Sequence, residues 1–183
     1  MAFFEVPKEE ALPPESRQWL DELRRLRGVE TLWRGWLTYG RSPRILKARV
    51  TAEDNLLNQR SGKSAFSWEA RNMAFMLVAH ARRCDGCFGS SRAQLMALGF
   101  DEPALDGFCA NPDVLPLPER ERLFVKYVLQ LATDPTQLQP KDFREMKAHG
   151  LSEEHVQEIV GFAAFAVFNT IFTTATMTAL RDD

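Results

Sequence analysis

Cysteine and histidine are scarce in this chain, with three of each among 183 residues. That is too few for a disulfide framework, and it leaves one cysteine, Cys109, over after any pairing. An excess of either charge is also missing. The formal net charge of −2 and a pI near 6.0 argue against a nucleic-acid surface, and Arg24, Arg25 and Arg27 are offset by Asp21, Glu22 and Glu30 nearby. The first residues carry no basic, apolar, small-residue leader, so secretion is not expected. Strand-like alternation bounded by turn residues is absent, which argues for an all-α fold. One long uncharged run, Ile159 to Leu180, is long enough to cross a bilayer. It holds Asn169, five threonines and Gly161, and no basic cluster anchors it, so a buried or subunit-interface helix is the stronger reading.

What is present is an ordinary globular composition, 45% hydrophobic and 26% charged, enough to build a core. Pro13-Pro14 precede a helix whose stripe is Trp19, Leu20, Leu23 and Leu26, ending near Gly28. A short helix with Leu32, Trp33 and Trp36 ends near Gly40, and Ser42-Pro43 open another through Ile45, Leu46 and Val50 towards Leu57. Ser61-Gly62-Lys63-Ser64 reads as a loop; it is not a P-loop, because the upstream glycine position is Leu57 and no strand precedes it. The second half shows a faint repeat. Gly99-Phe100-Asp101-Glu102 and Gly150-Leu151-Ser152-Glu153 share one pattern of a helix-ending glycine, an apolar residue, an N-cap and an acid. The predicted organisation is a single domain with N-terminal helices over 1–60, one repeat over 67–109 and a second over 117–182.

Cys84-Asp85-Gly86-Cys87 lies where the apolar helix from Trp68 to Ala81 gives way to the next, predicted from about Cys84 to Leu98. Two cysteines so spaced can close a disulfide. At a helix N-terminus the free N–H groups and the macrodipole favour the thiolate, lowering a cysteine pKa from about 8.5 to roughly 3.5–7.5. A reducing cytoplasm fits three cysteines, and there CxxC more often means redox or metal chemistry than a staple. Helical spacing puts Cys84, Cys87 and Ser91 on one stripe, with Ser91 able to reach Cys87 and His80 four residues ahead of Cys84. His80 can equally be a helix C-terminal cation, and His149 and His155 read as helix-end surface residues. Zinc is disfavoured, because only His80 is near in sequence and the flanks of Cys109 suggest burial.

An apolar helix leading into CxxC, then a helix, a glycine turn and a second helical copy, resembles the AhpD-type alkylhydroperoxidases and carboxymuconolactone decarboxylase-like proteins, in particular their longer peroxidase-related branch. The resemblance covers roughly residues 40–180. It implies an AhpD-like helical bundle, a cysteine pair cycling between dithiol and disulfide, and the pattern Glu-x11-Cys-x2-Cys-x3-His with a Glu–His proton relay. Carried onto this chain, Cys87 would attack peroxide and Cys84 would resolve. The relay positions hold Asn72 and Ser91 instead, neither of them a base near neutral pH; His80, or Glu69 one turn before Asn72, could substitute. The expected function is reduction of a hydroperoxide by a cytoplasmic homo-oligomer, regenerated by a disulfide-reductant protein, with no cofactor, metal, nucleic acid or membrane. A non-catalytic or regulatory oligomer that has lost the relay is the alternative from another class; lactone decarboxylation has no specific support in the sequence.

Overall fold

The computed structural model describes residues 5–33, 35–57 and 64–180, the last three by their backbone alone. Nine α-helices lie among them, with no strand. The fold class is all-α.

Three short helices come first: α1 Pro14–Arg27, α2 Gly35–Tyr39 and α3 Pro43–Ala52. Pro14 and Pro43 open helices where a missing N–H costs nothing. Gly28, at φ 66°, takes the left-handed conformation that closes α1 behind Arg24, Arg25 and Arg27, cations at the negative helix end. Two expectations shift here. Leu32 and Trp33 precede α2 rather than belonging to it. The helix predicted to run to Leu57 stops at Ala52 and continues as one turn of π-helix, Glu53–Leu57, where the buried carboxylate of Glu53 meets two arginines. Of the loop at 61–64 only Ser64 falls within the described residues.

The remaining helices are α4 Trp68–Ala81, α5 Asp85–Ala97, α6 Glu102–Ala110, α7 Glu119–Thr133, α8 Pro140–Ala148 and α9 Glu153–Leu180. Helix α4 is central. Every residue from Ala70 to Ala79 is buried, as befits a segment apolar nearly all round, and it packs chiefly on α5 and α7 while α7 packs on α9. Ser67 caps it: its Oγ accepts from the Ala70 N–H at 3.1 Å and donates to the Glu121 carboxylate at 2.8 Å, so one side chain ends α4 and ties it to α7. The starts of α4 and α7 lie 51 residues apart, as do those of α6 and α9. Gly99 and Gly150, separated equally, are both left-handed, and Asp101 and Ser152 cap the helices that follow.

Two apolar clusters result. The larger joins α4–α9 around Phe124, Tyr127, Phe162 and Ile159; the smaller joins α1–α3 around Leu20, Leu23, Leu46 and Trp36. Each fully buried Leu or Phe contributes about 1.5–3 kcal/mol. Helix α9 bridges the clusters at its far end, where Phe172 stacks on Tyr39 with ring centroids 3.9 Å apart. It is long and apolar enough to cross a membrane, but Phe162, Phe165 and Ala166 are buried within this chain.

Candidate redox site and its cavity

The turn between α4 and α5 sets the site. The Cys84 N–H donates to the Ala79 carbonyl at 2.9 Å and the Arg83 N–H to the His80 carbonyl at 3.1 Å, the paired bonds of a Schellman ending. Its left-handed position, where glycine is usual, is held by Arg83 at φ 54°. The chain then re-enters a helix with Cys84 at the N-cap and Cys87 one turn in. The two cysteines are joined in a disulfide, Cα atoms 5.3 Å apart.

The two sulfurs face different surroundings. Cys84 is 1% exposed and sealed in the main core; Cys87 is 6% exposed and lines a cavity of about 370 Å³. Ser91, buried one turn on from Cys87, lines the same cavity, and so do Ser90 and Gln94 from that helix. The other walls are Trp33, Trp36 and Tyr39 from the α2 region, Leu57, Phe75 of α4, and Asn169, Thr173 and Met177 of α9. The cavity thus lies at the seam between the two clusters. Gly35 has no room for a side chain: the Trp33 ring lies so close that a Cβ there would fall 1.8 Å from it.

The other residues singled out from sequence are dispersed. Asn72 is fully buried in α4; its Nδ2 donates to the Trp68 carbonyl at 3.0 Å, while its Oδ1 has no hydrogen-bond partner among the described residues. His80 is exposed with its ring 5.4 Å from that of Phe88, and it does not line the cavity. Glu69 is half-buried on the first turn of α4 and likewise lies outside the lining. His149 caps α8 with its ring on the Glu145 carbonyl, and His155 sits between Ser152 and Arg120. Cys109 is a free thiol, partly buried, and burial pushes its pKa up. Among the described residues no group of three His, Cys, Asp or Glu comes together as metal ligands.

Sequence reasoning missed the charged wall. Arg49, 4% exposed, and Arg27 both line the cavity. Glu53 takes Arg27 Nε at 2.6 Å and Nη2 at 3.1 Å, and lies 2.6 Å from Arg49 Nη1. Both guanidinium groups stand within 5 Å of the Trp36 ring centroid, and Arg49 also lies over Phe165. Burial opposes the charge on Arg49 and on Glu53. It pulls the Arg49 pKa down; in Glu53 the two arginines outweigh it and hold the carboxyl below its usual range. Burial likewise raises the pKa of Tyr39, whose phenol meets the Thr173 hydroxyl at 3.2 Å. A signal was available: Leu46, Arg49, Val50, Glu53 and Leu57 fall on one helical stripe, so two opposite charges at i, i+4 occupy core positions.

Two crystal structures share this fold over most of their length. An uncharacterized peroxidase-related protein from Ralstonia eutropha JMP134, described as an alkylhydroperoxidase AhpD core, superposes with a TM-score of 0.78 at 21% identity, covering 100% of this chain and 92% of that one. The fold is AhpD-like. An uncharacterized peroxidase-related protein from Silicibacter sp. TM1040 gives a TM-score of 0.77 at 19% identity with the same coverage. No family sequence model matches the chain, and no curated protein matches it significantly. The AhpD-like likeness thus rests on three-dimensional structure, and at these identities it speaks for the fold.

Proposed function

We propose that this chain reduces hydroperoxides through the Cys84–Cys87 pair. The observation that carries the proposal is the asymmetry of the pair: Cys87 opens onto a cavity while Cys84 is sealed behind it. In the reduced protein, the Cys87 thiolate attacks the terminal peroxide oxygen. The O–O bond breaks, Cys87 becomes a sulfenic acid, and the alkoxide leaves and takes up a proton to become an alcohol. The Cys84 thiol then attacks the Cys87 sulfur, forming the disulfide and releasing water. A dithiol protein or small dithiol returns both cysteines to thiols by exchange, itself becoming a disulfide; a reducing cytoplasm supplies such donors. The position of Cys87 in the first turn of α5 favours its thiolate, and Ser91 is the tuning group that shares its cavity.

One observation favours a second reading, a non-catalytic homo-oligomer of the same fold. Neither Asn72 nor Ser91 can move a proton near neutral pH, and His80 stands outside the cavity. Self-association belongs to both readings, because α9 leaves Val160 and Ile171 exposed at 46% and 56%. Steady-state consumption of an organic hydroperoxide with a dithiol donor separates them. Turnover abolished by Cys87→Ser supports the enzyme; no turnover with any donor at any pH contradicts it.

A further inference from the structure

The cavity beside Cys87 has a charge character that peroxide reduction alone does not require. Its lining includes two arginines and no carboxylate. Arg49 is almost wholly buried, and its Nε and Nη1 have no hydrogen-bond acceptor among the described residues; Glu53 approaches Nη1 closely enough to pair charge, but outside hydrogen-bond geometry. A buried guanidinium with unmet donors strongly favours an anionic acceptor, because leaving charged donors unsatisfied away from water is costly. One carboxylate, Glu53, is shared between two guanidinium groups, so the cluster keeps one net positive charge. Much of the remaining wall is apolar and aromatic, from Trp33, Trp36, Leu57, Phe75 and Met177, and the volume of about 370 Å³ suits a small organic molecule.

We propose that the cavity takes an apolar carboxylate, its head on Arg49 and Arg27 and its body along the aromatic walls, so that the peroxide presented to Cys87 is the hydroperoxide of an organic acid. The second half of this statement rests on the peroxide reading above; the first does not. A planar carboxylate matches the guanidinium fork, and an apolar chain gains by leaving water along Phe75 and Met177.

Binding is measured first on the oxidised protein, where the disulfide prevents turnover. Octanoate and octanamide are titrated against tryptophan fluorescence, with calorimetry as a second readout. Octanoate is expected to bind at least about ten-fold more tightly, the scale of a charge-assisted hydrogen bond, and the preference should fall below about three-fold in Arg27→Gln. The unmodified protein alone decides the main point, so an Arg27→Gln variant that fails to fold changes nothing. Equal affinity for acid and amide, or binding of neither, overturns the carboxylate site. Fatty-acid hydroperoxide and its methyl ester are then compared in Cys87-dependent turnover. A higher kcat/KM for the acid supports the substrate class. Turnover of both without preference overturns the substrate class and leaves the peroxide reading standing. Selective binding with no turnover of either overturns the peroxide reading and leaves the carboxylate site.

Discussion

Ser91 and His80 carry opposite expectations despite similar distances in sequence from the cysteines. His80 is separated from Cys84 by the turn that Arg83 makes at φ 54°, so the four-residue spacing that would stack them on one helix does not carry across. His80→Ala should therefore change peroxide turnover by less than about two-fold, while Ser91→His with Asn72→Glu should raise it by about ten-fold or more, the lower end of general-base effects. Steady-state kinetics on both variants checks this; a large loss in His80→Ala would mean the histidine serves as base after all. Glu53 gives a pH signature. Its folded pKa lies below the ordinary carboxylate value, so its contribution to stability is fully present above about pH 4.3 and is lost as pH falls through the folded pKa. Glu53→Gln should cost about 3–5 kcal/mol at neutral pH, since it leaves Arg49 buried with a neutral partner. The gap between the thermal midpoints of parent and variant should narrow below about pH 4; a gap that widens in acid would contradict the sign.

Helix ends were the most legible feature of the sequence, because they are local. Gly28, Gly99 and Gly150 all adopt the left-handed conformation expected of a helix-ending glycine, and the apolar run from Trp68 to Ala81 is the central helix. Cys84 heading a helix and Ser91 sharing a face with Cys87 followed from spacing alone. What escaped was tertiary: the cavity is assembled from α1, α2, α3, α4, α5 and α9, and no local pattern announces that Arg27 and Arg49 meet there. Nor does anything in the sequence mark Arg83, a non-glycine residue, as left-handed. The Ser67 cap illustrates an element whose worth is measurable. Ser67→Ala removes the bond to the Ala70 N–H and the hydroxyl's bond to Glu121, leaving the residue-67 backbone N–H on that carboxylate, and should destabilise the protein by about 1–2 kcal/mol. Urea midpoints should move accordingly, with turnover of the surviving folded fraction unchanged.

For the whole molecule, α9 is the element to test. Phe165 is buried in the chain's own core, so a charge there would report on folding. Val160 and Ile171 point outward from the same helix and are the sites that report on assembly. Light scattering at micromolar concentration should give an oligomeric mass, reduced by Val160→Asp with Ile171→Asp while helicity persists; a monomeric parent would contradict self-association. The central claim concerns the cysteines. Reduced protein is given one equivalent of organic hydroperoxide, quenched with an alkylating agent and digested for mass spectrometry. The expected result is that Cys84 and Cys87 lose their thiols together in one intramolecular disulfide, with one alcohol formed per disulfide and Cys109 still alkylated. Equal alkylation of Cys84 and Cys87 with and without hydroperoxide would contradict the account.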